Sequence, residues 1–174
     1  MTDSPTPLDR LLAVLKTPSL AGDLAAHPEL WEEIKRLAEI HRFSGWLAHS
    51  TSAWLPPSER RWRDQVLMTH HRGHARRLSA VRRLAEGFDE AGIAYSTLKG
   101  PILAERFYAH PFLRPSNDLD WLICERDAGA ANRLMSKLGF ELQGRYPWPL
   151  QRRISPHFIF SPPISRLGLR CIMA

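Results

Sequence analysis

The apolar positions of the first ninety residues recur three and four apart. Within residues 7–17, Leu8, Leu11, Leu12 and Leu15 fall at helical spacing. Over 28–42, Leu30, Ile34, Leu37 and Ile40 make one stripe, with Pro28 at a first-turn position and Glu29 and Glu32 close behind it, as a helix start prefers. Ser44-Gly45 interrupts this pattern, and Trp46 and Leu47 open another short helix. Pro56-Pro57 is a stop and Ser58 a ready N-cap for a long helix over 59–90. Its predicted buried stripe is Leu67, His71, Ala75 (or His74), Leu78, Val81, Ala85 and Phe88.

At Gly92 the period changes. Residues 93–98 read as a strand of mixed exposure, and Lys99-Gly100-Pro101 as a turn, with Pro101 opening a helix to about residue 108. A proline-bounded loop over 110–116 leads into a clean alternation over 117–124. Residues 126–138 are helical, Gly139 ends that helix, and 140–144 form a further strand. The expectation is an α+β protein: a helical region over 1–90, a strand–helix–strand–helix–strand core over 91–145, and an irregular tail over 146–174 with five prolines and four arginines.

Composition narrows the class. With 174 residues, 44% apolar and 24% charged, the chain has the make-up of a soluble globular protein with one well-buried core, or one core with a helical appendage. No apolar run approaches the roughly 18–20 residues that span a bilayer, and the polar start lacks the basic and apolar regions of a secretory signal. A cytoplasmic protein without a membrane partner is therefore expected. Cys124 and Cys171 stand too far apart, with no CxxC partner, to frame a disulfide or zinc site, and Cys124 at the end of an apolar run reads as a small buried residue.

The net charge of +6 rests on 20 Arg against 4 Lys. Such a surface suits phosphate-bearing partners, nucleic acid among them, but a GC-rich genome gives the same bias. Arg72, Arg76, Arg77, Arg82 and Arg83 lie mostly off the long helix's stripe; such a run is ordinarily a solvated face, the alternative being a basic wall toward nucleic acid or triphosphate. His70 and His74 are four apart, but position 71 is His, so the pair lacks the acid of an HExxH metal motif.

The chemistry concentrates between residues 98 and 120. Alternation puts Asp118 and Asp120 on one strand face and sends Leu119, Trp121 and Ile123 to the other. Two carboxylates two residues apart repel unless a cation neutralises them, and Mg²⁺ is held by one or two carboxylates plus substrate phosphates. One such ion serves binding; two, about 3.5–4 Å apart, clamp both oxygens of a phosphoryl transfer. A bare Asp-x-Asp also occurs on solvent-facing strands. Here it follows a Lys99-Gly100 turn that opens a helix, where phosphates bind, and a lead-in containing Arg114 and Ser116.

The stretch LKGPILAERFYAHPFLRPSNDLDWLI resembles an uncharacterised bacterial branch of the polymerase-β-like nucleotidyltransferases. Its members typically show a leucine-lysine-glycine turn, a helix with a tyrosine, an arginine-proline element and an Asp-x-Asp strand. The layout is similar to that of abortive-infection nucleotidyltransferase toxins. The likeness covers about residues 93–140, with looser similarity back into the long helix. It implies a small polymerase-β-like α/β core and Mg²⁺-dependent transfer of a nucleoside monophosphate from an NTP, such as ATP, to an acceptor hydroxyl. By the same resemblance Asp118 and Asp120 are the catalytic metal carboxylates, while Lys99, Gly100, Arg114 and Ser116 serve the nucleotide. The acceptor stays open among protein, peptide, tRNA end and small molecule.

One departure counts against turnover. The superfamily draws a third carboxylate from a later strand, whereas residues 142–174 contain no Asp or Glu, and the stretch near His157 lacks the acid-plus-histidine strand expected there. Three readings follow: a fragment or frameshifted form of a longer enzyme, an inactive member that still binds nucleotide, or a chain in which Glu141 substitutes.

Overall fold

The computed structural model describes residues 5–116, 118–143, 157–161 and 168–173, the last two segments through their backbone. The chain divides into two compact units, Met1–Gly73 and His74–Ala174, and the division falls within one long helix.

The first unit is helical: α1 (Pro7–Lys16), α2 (Leu20–Ala25), α3 (Pro28–Ile40), α4 (Ser44–Ser50) and the first part of α5 (Arg60–Glu90). Thr6 and Asp9 form a reciprocal capping box at the start of α1, which satisfies two otherwise orphaned groups there. The core gathers Leu11, Val14, Ala21, Trp31, Ile34, Ala38, Leu47 and Leu55. Two predicted stripes are corrected. In α3 the buried positions are Trp31, Ile34 and Ala38, while Ile40 is 58% exposed. Facing is set by the residue with most surface to bury, and Trp31, packed edge-on against Trp62 at 5.9 Å, outweighs Leu30 and Ile40. In α1, Leu8 and Leu12 are exposed and Val14 is buried.

The second unit contains the rest of α5, then β1 (Tyr95–Thr97), α6 (Pro101–Phe107), β2 (Asp118–Ile123), α7 (Ala128–Lys137), β3 (Glu141–Gln143), β4 (His157–Ser161) and β5 (Gly168–Met173). These strands form one sheet in the order β1-β2-β5-β4-β3, with β2 and β5 parallel and the other neighbours antiparallel. Residues 146–174 are thus not wholly irregular, as expected from their prolines, but contribute two strands. β4 pairs with its sequence neighbours β3 and β5, whereas β5 reaches its other partner from far away, Asp118 pairing with Gly168 and Ile123 with Met173.

β2 is the spine of this unit. Leu119, Trp121 and Ile123 are buried as predicted, in a core with Val81, Leu84, Phe88, Ile93, Ala131 and Met135. Trp121 meets Phe88 and Tyr95, each with ring centroids 5.2 Å away. The α5 stripe is partly corrected: His71 and Ala75 are exposed, whereas His74, Leu84 and Gly87 are buried. A Cβ at Gly87 would stand 3.3 Å from Leu134, so the bare backbone lets α7 approach α5 closely. Gly139 follows α7 with φ of 85°. Cys124 is exposed rather than buried, since strand parity puts it opposite Ile123. No described helix is long and apolar enough to cross a membrane.

Because Trp121 is fully buried on the core face, Trp121→Ala is expected to lose about 3–5 kcal/mol in chemical denaturation. Trp121→Phe should lose markedly less, because the indole Nε1 it removes is buried without a hydrogen-bond partner among the described residues. Equal melting of Trp121→Ala and wild type would mean that the strand faces are reversed.

Candidate functional site

The site is built where β1 leaves the sheet beside β2. Antiparallel pairing sets Thr97 against Trp121, and the Leu98 N–H donates to the Asp120 carbonyl at 3.1 Å. The next residue, Lys99, therefore leaves the ladder beside Asp120, with Nζ 3.4 Å from Oδ2. The two partners differ sharply in environment: the Lys99 side chain is 55% exposed and that of Asp120 only 3%. Asp118, two residues earlier on the same face, is half-buried.

Gly100 makes the turn. Its φ of 85° and ψ of −146° lie in a region that essentially only glycine occupies. A Cβ there would stand 3.2 Å from the Asp118 carbonyl oxygen and 3.5 Å from Ser116 Oγ. Pro101 follows at the first helical position, as predicted, and contributes no N–H. At seven residues α6 sums few peptide dipoles, so the positive charge at this turn rests mainly on Lys99 and less on the helix end than its motif implied.

Arg114 and Ser116 act on the backbone. Arg114 donates to the Gly100 carbonyl at 3.1 Å, with its guanidinium carbon 5.8 Å from the centroid of the Tyr108 ring. Ser116 Oγ donates to the Asp118 carbonyl at 2.8 Å. The two residues thus hold the turn and the strand in place around the carboxylates. The structure brings Lys99, Gly100, Ser116, Asp118 and Asp120 together, with Arg114 bracing the turn from behind its carbonyl.

His74 of α5 is a contact the motif reading missed. Its Nε2 lies 2.6 Å from Oε1 of Glu105, ties α6 to α5 within the second unit, and leaves His74 nine-tenths buried. The signal in the sequence was its place on the helical stripe as the alternative to Ala75. Arg77 also departs from a plain solvated face: it is half-buried, its Nε has no hydrogen-bond partner among the described residues, and burial pulls its guanidinium below the usual arginine range. His70 is not paired with His74 in a metal site; it lies 3.3 Å from Ser44 in the first unit, and no group of three metal-ligating side chains occurs among the described residues.

The neighbours of the acid pair decide the third-carboxylate question for the described residues. On the β1 side stands Leu98; on the β5 side Gly168 is in register with Asp118 and Arg170 with Asp120. Glu141 does not substitute. It is exposed on β3, three strand steps from β2, or about 14 Å at the usual spacing between strands. The two carboxylates nonetheless fit Mg²⁺, which takes one or two such ligands and completes its shell with water and phosphate oxygens.

A polar cavity of about 460 Å³ lies in the first unit, lined by Lys35, Trp62, Gln65 and His70 among others. Its ammonium is already satisfied. Burial works against the Lys35 charge, but Glu32 and Glu59 more than offset this and hold it above the ordinary lysine range.

Gly100→Ala tests the turn. Forcing an L-residue into this backbone conformation should cost about 1–3 kcal/mol in urea unfolding. An alanine variant as stable as wild type would show that the turn does not need glycine.

No curated protein matches the chain. A family model described as uncharacterised nucleotidyltransferase matches residues 27–166, which covers the turn, the Asp-x-Asp strand and most of both units. The chain with its Lys99-Gly100 turn beside two strand carboxylates belongs to this nucleotidyltransferase family.

Proposed function

We propose that Asp118 and Asp120 hold Mg²⁺ with the triphosphate of an NTP, ATP being a natural donor, and that the chemistry is transfer of its nucleoside monophosphate to an acceptor hydroxyl, with pyrophosphate leaving. The observation that carries this reading is Asp120, a carboxylate 3% exposed on the face of β2 opposite the core, set beside the Lys99–Gly100 turn. A buried carboxylate is costly without a cation, and an Asp two residues away adds a second negative charge. Mg²⁺ would supply charge neutralisation for both acids and for the phosphates. The protein's own groups do the rest: Lys99 meets the triphosphate, while Arg114 holds the Gly100 carbonyl and Ser116 the Asp118 carbonyl in place around the acids. One Mg²⁺ ion or two, the acceptor's identity as protein, peptide, tRNA end or small molecule, and a cytoplasmic setting belong to this proposal.

A second reading has its own observation. No acid stands in register beside the pair among the described residues, and Glu141 is three strands away. Binding Mg²⁺–NTP needs only the two carboxylates, but transfer also needs the acceptor hydroxyl polarised and aligned with the α-phosphorus. Losing a positioned base forfeits about 10²–10⁴-fold in rate. The alternative is therefore a nucleotide-binding module that transfers slowly or not at all.

Both readings are tested on the same protein. Asp118→Asn with Asp120→Asn should abolish Mg²⁺-dependent NTP binding in calorimetry while the far-ultraviolet dichroism stays that of wild type; unchanged affinity would remove the site assignment. Incubation with labelled NTPs, Mg²⁺ and cell extract then separates transferase from binder. Robust labelling favours the enzyme, and it should survive Glu141→Gln.

A further inference from the structure

The pairing of Lys99 with Asp120 has a consequence for how metal and nucleotide enter, and it rests on the Mg²⁺–NTP reading of the site. Asp120 is almost fully buried, so its negative charge is expensive unless matched. Lys99 Nζ lies 3.4 Å from it on a side chain that is more than half exposed. That side chain is a flexible four-carbon stem with a compact charge at its tip, and it springs from the residue next to the Gly100 turn. The same ammonium is the group assigned to the triphosphate. Its three donors are shared between Asp120 and any phosphate within reach, and a divalent cation on the Asp120 carboxylate repels it from that acid.

We propose that Lys99 is a tethered stand-in for the metal: without a divalent cation it neutralises Asp120, and when Mg²⁺ takes that carboxylate Lys99 is released to the triphosphate. The exchange keeps the buried acid compensated at every stage. It also couples the two ligands, since metal binding frees the cation that nucleotide needs, and nucleotide binding removes the competitor that metal displaces. Two simpler roles predict different behaviour. If Lys99 only touched phosphate, its loss would weaken nucleotide binding and leave the affinity for metal alone unchanged. If it were only a structural ion pair, its loss would loosen the site and weaken both.

The test uses the full chain and two variants, Lys99→Met and Lys99→Gln, which keep most of the stem and remove the charge. Calorimetric titration with Mg²⁺ alone should show affinity tighter than wild type by about two- to fivefold, the range of a partly exposed ion pair. Titration with Mg²⁺–ATP should show weaker binding, by about tenfold for a lost charged contact to phosphate. Melting followed by circular dichroism adds a readout independent of nucleotide. Without metal the variants should melt below wild type, and saturating Mg²⁺ should raise their melting temperature by more than it raises that of wild type. Opposite signs for metal and nucleotide, in either variant, establish the exchange. Metal affinity that is unchanged or weaker in both variants overturns it. The underlying reading fails separately, if wild type binds Mg²⁺ but shows no Mg²⁺-dependent affinity for ATP; the comparison with metal alone then still decides the role of Lys99 toward Asp120.

Discussion

A carboxylate that is 3% exposed constrains everything around it. Asp120 cannot be moved to solvent without turning Trp121 out of the core, because neighbours on a strand face opposite ways. Its charge must therefore be met where it stands. The antiparallel pairing of β1 with β2 answers this by delivering Lys99 just past the last ladder bond, the one from Leu98 to Asp120. The chain must then bend sharply over β2, and the φ of 85° together with the tight 3.2 Å approach of a Cβ at residue 100 to the Asp118 carbonyl favours glycine. Site and core are two faces of one strand.

How much of this was legible follows from how local each signal is. The alternation over β2 named both the core residues and the acids, because a period of two within six residues needs no knowledge of partners. Pro101 and Gly100 marked the turn for reasons internal to their own backbones. Facing was harder where several apolar residues compete. Trp31 is fully buried in the first unit while Leu30 packs against that core only partly buried, and His74 rather than Ala75 is buried, with Glu105 as its polar partner. Strands β4 and β5 were illegible for a different reason. They sit among prolines and arginines, and the pairing that joins β5 to β2 spans some fifty residues, which no local window on the sequence contains.

The order of the sheet then carries information that the sequence could not hold. Glu141 follows the predicted helix and strand at a plausible distance in sequence, yet β5 and β4 intervene between it and the acid pair. Conversely Arg170 is remote in sequence and stands in register with Asp120. A count of carboxylates along the chain therefore says little about a metal site. What matters is which residues flank β2, and here they are a leucine, a glycine and an arginine.

The same caution applies to reading roles from a motif. Arg114 and Ser116 fall in the lead-in to Asp-x-Asp, where a guanidinium and a hydroxyl suggest phosphate. In the folded chain each spends a donor on a carbonyl, Arg114 on Gly100 and Ser116 on Asp118. Those two carbonyls belong to the residues whose positions define the site, the turn glycine and the first acid. A donor placed on each fixes a backbone conformation that glycine's own freedom would otherwise leave loose. A guanidinium and a hydroxyl beside Asp-x-Asp thus serve here to hold the strand and its turn still. Among the six residues that carry the resemblance, Lys99 alone combines a full charge, an exposed stem and an ion pair to a buried acid, and so alone has both a reason to be at the carboxylates and the freedom to leave them.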